Sequence, residues 1–175
     1  MFIDETECNG NDHVPKMEYA MKGDPPVQHR WLHRGERISA IAAMAITGMV
    51  SVELKKGSVN GDVFYDFVRG SLIPHCQMLP YDGDNPRSIA VMDNCSIHIQ
   101  PVLDLFRAMG IVVLFLPPYS PDMMPIELLF SYIKYYLKDH SEIWQAMDHP
   151  TALLQAAFDS VSPESCSKWV GSCGC

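Results

Sequence analysis

Alternating polar and apolar positions predict strands in the first third of the chain. We expect residues 1–5, MFIDE, to form a strand. Because side chains alternate along a strand, Phe2 and Asp4 would lie on one face, and Ile3 and Glu5 on the other. The stretch 6–36 is polar and punctuated by glycine and proline, which predicts a loop with a short extended piece at 27–32. Two apolar runs then flank a Thr-Gly pair at 47–48, so we expect a hairpin of two more strands.

Continuous apolar runs alternate with helical spacing in the rest of the chain. The runs at 88–92 and 111–116 are unbroken, a pattern typical of strands that are covered on both faces. Apolar residues three and four positions apart predict three helices, over 60–74, 100–110 and 126–140. The residues from 151 onward predict one or two further short helices.

The order of these elements predicts an α/β fold. The first three strands are antiparallel because a hairpin joins two of them, whereas the last two are parallel because helices connect them. We therefore expect a mixed five-stranded sheet, three antiparallel strands followed by two parallel ones, flanked by helices. Residues 1–140 would form this domain, and residues 141–175 would be a C-terminal helical extension packed on it.

Composition argues against several classes of protein. The chain has 13 Lys and Arg against 21 Asp and Glu, a net charge of −8, which argues against strong nucleic-acid binding by this chain alone. It lacks an export signal and any apolar stretch long enough to span a membrane, so we expect a soluble protein, nuclear in a eukaryote and otherwise cytoplasmic, whose six cysteines stay reduced. The GxSxG, GxGxxG and Walker A motifs are absent from the sequence, which disfavours serine hydrolases and nucleotide-binding enzymes.

Three acidic residues occupy positions that this fold would bring together. Asp93 directly follows the strand at 88–92, and ligand sites of open α/β sheets form at strand ends. Asp4 lies on the first strand, and Glu127 lies in the first turn of a helix that packs beside it. Three carboxylates in one pocket repel each other unless a cation offsets their charge, and Mg²⁺ or Mn²⁺ prefers oxygen ligands of this kind. Two such ions can activate a hydroxyl and stabilise a leaving oxygen, which is the chemistry of phosphodiester cleavage or transfer.

Each acid also has a simpler interpretation. An aspartate after a strand is often a turn residue, a near-terminal aspartate is often solvated, and an acid in a first helical turn complements the helix dipole. Asp122, in the stretch YSPD, is expected to cap the helix or to fix the turn rather than to bind a metal.

The strings that contain the three acids resemble those of a known family. FIDE, VMDNCSIH and LPPYSPDMMPIE are similar to the three acidic motifs of DDE transposases of the Tc1/mariner and IS630 type. The spacing from Asp93 to Glu127 is close to that of the family, and HRGERISAIAAMAITG and KWVGSCGC are also similar, so the resemblance covers nearly the whole chain. Met124 stands where the family more often has a polar residue. The resemblance implies a ribonuclease H-like fold, and DNA cleavage and strand transfer that depend on Mg²⁺ or Mn²⁺, with two ions expected.

The resemblance also assigns roles to residues. It implies that Asp4, Asp93 and Glu127 are the catalytic and metal-binding triad. Asn94 and His98 match the polar positions that flank the second acid, where they would support the metal site or contact DNA. For His98, a buried histidine without such a role is an equal alternative.

DNA is the expected partner, both as transposon ends and as target. Lys134 lies seven residues beyond Glu127 and therefore on the same helix face, where its ammonium could contact a DNA phosphate or simply be solvated. Family members normally carry helix-turn-helix modules before the first acid, whereas only three residues precede Asp4, so we expect that module to be absent. A homodimer or a separate DNA-targeting protein would then supply DNA recognition, and no membrane partner is expected. The alternative is a catalytically inactive or domesticated transposase remnant that acts as a binding module.

Overall fold

The computed structural model describes residues 1–8, 20–24, 37–76, 87–94, 100–118, 120–147 and 150–174. These ranges contain five strands and six α-helices. The extended piece expected at 27–32 and the candidate residue His98 lie outside the described residues.

The five strands form one mixed sheet. They are β1 (Phe2–Cys8), β2 (Ile38–Ala45), β3 (Gly48–Lys56), β4 (Ile89–Met92) and β5 (Val112–Phe115). Their order across the sheet is β3-β2-β1-β4-β5. β2 is antiparallel to both β1 and β3, whereas β1 with β4 and β4 with β5 are parallel pairs. The predicted sheet of three antiparallel strands followed by two parallel ones is confirmed.

β1 continues further than the sequence predicted. Thr6, Glu7 and Cys8 pair with residues 38–40 of β2, so the prediction of a loop that begins at residue 6 was wrong for these three positions. Cys8 is fully buried, and Glu7 forms an ion pair with Arg37 at the start of β2. The sequence did not predict this part of the strand because the stretch is polar, and its core residue, Cys8, is the last residue of β1.

Six α-helices accompany the sheet in the described ranges. They are α1 (Gly61–Phe67), α2 (Gln100–Ala108), α3 (Pro125–Asp139), α4 (Ser141–Ala146), α5 (Thr151–Asp159) and α6 (Pro163–Ser172). The helix predicted over 60–74 is α-helical only in its first half and continues as a π segment, Val68–Leu72, and a 3₁₀ turn, Ile73–His75. The sequence did not predict α4, because six residues are too few to show helical spacing. No helix among the described residues is long and apolar enough to cross a membrane.

Hydrophobic side chains fill both faces of the sheet. On one face, Phe2 and Ala42 belong to a core that includes the inner residues of α3, α5 and α6. On the other face, Ile3 and Ala43 belong to a core with α1 and α2. Because successive side chains alternate, β1 and β2 contribute to both cores, and all eight residues of β2 are buried. The central strands are therefore held from both sides, which gives the acids at their ends a rigid support.

β5 is not the buried strand that its sequence predicted. Val112, Leu114 and Phe115 are 45%, 50% and 42% exposed. Among the described residues β5 pairs only with β4, because it is the last strand of the sheet. A continuous apolar run is typical of a covered strand, but the run itself does not show which strand will lie at the edge.

Candidate active site

The register of β1 and β4 brings Asp4 and Asp93 to the same end of the sheet. Phe2 pairs in parallel with Val91, and the Val91 amide donates a hydrogen bond of 2.8 Å to the carbonyl of Met1. Asp4 and Asp93 each lie two residues further along their strands. They therefore lie side by side where the paired part of β4 ends, on the face of the sheet that contains Phe2 and packs against α3.

α3 carries Glu127 over the same end of the sheet. Met124 is the N-cap of this helix, and Pro125 follows it in the first turn, where the missing N–H breaks no helical hydrogen bond. Leu129 on the inner side of α3 is fully buried, whereas Glu127 is exposed. Because α3 packs against β1, the burial of its inner side fixes the direction in which Glu127 points, towards the region of Asp4.

One cavity of about 420 Å³ is lined by all three acids. The cavity's remaining walls come from the end of β4, from the loop between β5 and α3, and from the N-cap of α3. The residues that form these walls are Asn94, Leu116, Pro117, Pro118, Ser120 and Met124. The structure thus brings Asp4, Asp93, Glu127 and Asn94 around one space, while their catalytic and metal-binding roles stay predictions.

The electrostatics of the cavity oppose the ionisation of Asp4. Burial of its carboxyl, and then the negative charge of the adjacent Glu5, raise the pKa of Asp4 from 3.8 to about 7. The charges of Asp93 and Glu127 raise the pKa further, whereas a 2.8 Å hydrogen bond from the Glu5 amide to Asp4 Oδ1 lowers it. Burial is thus the largest cause of the raised pKa of Asp4, the neighbouring acids add to it, and a bound cation would lower it.

The donor set of the cavity fits a hard divalent cation. Carboxylate, amide and hydroxyl oxygens are the ligands that Mg²⁺ and Mn²⁺ prefer, and the three acids together with Asn94 and Ser120 offer only such oxygens. Within the described part of the chain, however, no three acidic, histidine or cysteine side chains form a group that could hold a metal ion as they are placed. Asp93 and Glu127 are exposed side chains that line the same cavity as Asp4.

The other predicted residues are placed less closely around the cavity. Lys134 lies two turns beyond Glu127 on α3, is half-buried, and does not line the cavity. His98 lies outside the described residues. Asp122 lies in a 3₁₀ turn, Pro121–Met123, so it helps to form the turn and does not occupy the N-cap position of α3.

Ser120 is a cavity residue that the sequence did not point to. Its side chain lines the same space as the acids, because the loop after β5 folds back before α3 begins. A serine in a proline-rich loop is ordinarily a turn residue, and nothing in the string YSPD distinguishes it. Only the path of the loop through space identifies Ser120 as a neighbour of the site.

A family model matches most of the chain. The model is described as DDE superfamily endonuclease, and it matches residues 1–148, a range that contains Asp4, Asp93 and Glu127. No curated protein matches the chain significantly.

Solved structures of Mos1 transposase share the fold. The Mos1 transposase paired-end complex with left transposon end has a TM-score of 0.76 at 21% identity, and the match covers 98% of this chain and 51% of that one. The Mos1 mariner paired-end complex with Mn has a TM-score of 0.68 at 19% identity, covering 98% and 51%. The Mos1 transposase catalytic domain with raltegravir and Mg has a TM-score of 0.57 at 18% identity, covering 98% and 77%. The sheet is thus ribonuclease H-like, as predicted, and the chain spans about half the length of the two Mos1 chains in the paired-end complexes.

Proposed function

The chain belongs to the DDE superfamily of endonucleases, and on that premise we propose that it is a catalytic domain that cleaves DNA phosphodiester bonds and transfers the cut strand. The observation that carries the proposal is the single cavity lined by Asp4, Asp93 and Glu127. A site of three carboxylates at strand ends is suited to positioning divalent cations against phosphate oxygens.

In this proposal the three acids hold Mg²⁺ or Mn²⁺, with two ions sharing the site. When bound, such ions lower the pKa of an attacking water or 3′-hydroxyl and stabilise the leaving oxygen. The chain's own part is to hold the carboxylates. Asp4 is fixed on a strand buried from both faces, Asp93 follows β4 directly, and Glu127 is aimed by the packing of α3. The Mn and Mg in the Mos1 structures support this choice of cation.

Asn94, His98 and Lys134 have supporting roles in the proposal. Asn94 lines the cavity, where its amide can orient Asp93 or a phosphate oxygen. Lys134 lies on the helix face that follows Glu127, where an ammonium can contact the backbone of the bound strand. His98 follows Asp93 by five positions in the sequence and is assigned to the same support of metal or DNA.

The proposed substrate is DNA, as transposon ends and target. The Mos1 complex with a left transposon end supports this class of substrate. With a net charge of −8, the chain has little electrostatic attraction for phosphates, so a second copy or a DNA-targeting protein would bring it to its site.

Plasmid nicking tests the proposal. The purified chain is incubated with supercoiled plasmid at low salt and high protein concentration, with Mn²⁺, with Mg²⁺ or with EDTA. We expect nicking that needs the cation and that is lost in Asp93→Asn and in Glu127→Gln. Asp139→Asn is the matched control, because Asp139 is an exposed acid at the far end of α3.

The second candidate function is a binding module without catalysis. It is favoured by one observation, that no three described acidic, histidine or cysteine side chains are grouped as a metal site. Nicking that survives both substitutions would overturn the proposed site. A folded chain that binds DNA but does not cut it under any of these conditions would support the binding module instead.

A further inference from the structure

Ser120 places a neutral hydrogen-bond donor in the wall of the candidate active site. The cavity of about 420 Å³ is lined by Ser120 together with the three acids. Among the described residues of this lining, the Ser120 hydroxyl and the Asn94 amide are the only side-chain donors when the acids are ionised. The rest of the described lining is apolar and includes no lysine or arginine. A phosphate in this cavity would therefore depend on neutral side chains for any hydrogen bond that the cations do not replace.

The hydroxyl of Ser120 is not used to hold the loop together. A serine before a helical turn ordinarily accepts a hydrogen bond from a backbone N–H two or three residues further on. Here the Met123 amide donates to the carbonyl of Ser120, at 3.1 Å. The hydroxyl itself makes no hydrogen bond within the described part of the chain. Its donor and acceptor capacity is thus open to a molecule that enters the cavity.

The loop around Ser120 is stiff and is anchored beside Asp93. Three prolines stand in the stretch 116–121, and each fixes its own backbone φ angle. Ser120 precedes one of them, Pro121, and a residue before proline is kept out of the helical region. At the start of the loop, the Leu116 amide donates to the carbonyl of Met92 at 2.9 Å, directly before Asp93. The position of the hydroxyl relative to the acids is therefore set before any substrate binds.

We propose that Ser120 donates a hydrogen bond from its hydroxyl to a non-bridging oxygen of the DNA phosphodiester that is cut. The inference rests on the proposed function, because it assigns a phosphate contact within the same cavity. Ionised carboxylates only accept hydrogen bonds, whereas serine hydroxyls are common donors to DNA phosphates. Ser120 is half-buried and Asn94 is exposed, so a hydrogen bond from Ser120 is better shielded from water and is stronger.

The proposal assigns the hydroxyl to the phosphate and not to a cation. The three acids already offer charged oxygens, and Mg²⁺ is typically bound through one or two carboxylates together with substrate phosphates. Loss of the hydroxyl should therefore weaken the binding of a phosphodiester and leave the binding of the cation unchanged. A metal-ligand role would predict the opposite result for the cation, so the two roles can be separated by experiment.

Binding of a small phosphodiester to the Mn²⁺-loaded chain tests the contact without requiring cleavage. The probe is the dinucleotide thymidylyl-thymidine, and phosphorus NMR relaxation by the bound Mn²⁺ reports its affinity. We expect Ser120→Ala to raise the Kd of the dinucleotide about tenfold, because a hydrogen bond to a charged group is lost. Ser120→Thr keeps a hydroxyl and should stay within about threefold of the wild type. Ser120→Gly also removes the hydroxyl and should match Ser120→Ala.

Two further measurements complete the test. Binding of Mn²⁺ alone should be equal in Ser120→Ala and the wild type, and the rate of plasmid nicking should fall about tenfold in Ser120→Ala and recover in Ser120→Thr. Ser167→Ala is the matched control, because Ser167 is exposed on α6 and does not line the cavity. Circular dichroism checks that each variant is folded.

The outcomes separate this inference from the proposed function. If the wild type binds Mn²⁺ but its dinucleotide affinity is the same in Ser120→Ala, or is undetectable, the inference is overturned and the metal site stands. Weaker Mn²⁺ binding in Ser120→Ala would also overturn it, since the hydroxyl would then be a metal ligand. A wild-type chain that binds no Mn²⁺ would overturn the proposed function, and the inference with it.

Discussion

Asp4 is the residue whose ionisation the fold opposes. Its carboxyl is largely buried beside Glu5, Asp93 and Glu127, and its pKa is raised to about 7. Near neutral pH, a proton or a bound cation is needed to offset the negative charge of the Asp4 carboxylate. The stability of the chain should therefore depend on pH and on cation concentration.

The pH dependence of stability follows from this shift. The folded chain holds the Asp4 proton more tightly than the unfolded chain, whose pKa is near 3.8. The stabilisation is therefore complete below about pH 4 and is lost as the pH rises through about 7. In metal-free buffer, Asp4→Asn should be more stable than the wild type at pH 8, by about 2 to 4 kcal/mol, and equal to it near pH 4. Urea unfolding at both pH values measures the difference, and a difference independent of pH would contradict the burial of an ionised Asp4.

Lys134 should contribute one phosphate contact. If its ammonium meets the DNA backbone, Lys134→Ala will lower the slope of log K against log salt concentration by about 1. Lys168→Ala is the control, because Lys168 lies on α6 and is paired with Glu164 at 2.9 Å. Fluorescence anisotropy with a labelled duplex at several salt concentrations gives both slopes. Equal slopes for Lys134→Ala and the wild type would remove the contact.

Individual site residues were predictable from sequence to different degrees. Asp93 and Glu127 lie in long strings whose order and spacing resemble those of the DDE family, so the sequence alone predicted that the two acids lie close together. Ser120 could not be predicted, because it reaches the cavity only through the path of a loop. The exposure of Asp93 and Glu127 could not be predicted either, since it depends on how the surrounding elements pack in the folded chain.

Among the helices and strands, α3 has the largest influence on the site. It carries Glu127 on its exposed side and packs its inner side against β1, α5 and α6. A loss of packing under α3 would therefore change stability and displace Glu127 together.

Two substitutions on α3 separate its buried side from its exposed side. Ile133 is fully buried, so Ile133→Ala should lower the free energy of unfolding by about 2 to 5 kcal/mol. Tyr135 is 69% exposed, and Tyr135→Ala should change the free energy of unfolding by less than about 0.5 kcal/mol. Urea denaturation of both variants measures the two values. Similar losses at both positions would show that α3 is not oriented as described.

The fold was largely predictable because most elements have clear periodicity. The helices at α2 and α3 and the hairpin of β2 and β3 follow their apolar patterns closely. β5 was misread as buried, because strand order depends on contacts between distant parts of the chain rather than on local pattern. The break after α1 into π and 3₁₀ segments was also missed, since Val68 and Leu72 keep a spacing that an uninterrupted α-helix would share.

The chain as a whole is acidic, and it shares its fold with Mos1 transposase. Its net charge is −8, and it spans about half the length of the Mos1 chains in their paired-end complexes. Under the proposed function this chain would supply the chemistry, and its net charge of −8 gives it little attraction of its own for DNA phosphates. Cation binding, in contrast, can be tested on this chain alone.

Binding of Mn²⁺ to the purified chain, followed by the electron paramagnetic resonance signal of the free ion, tests whether the three acids form a metal site. We expect the wild type to deplete the free signal, Asp93→Asn to weaken binding on the order of tenfold or more, and Asp139→Asn to bind as the wild type does. A wild-type chain that leaves the signal unchanged, or binding that is equal in Asp93→Asn, would contradict a metal site built from Asp4, Asp93 and Glu127.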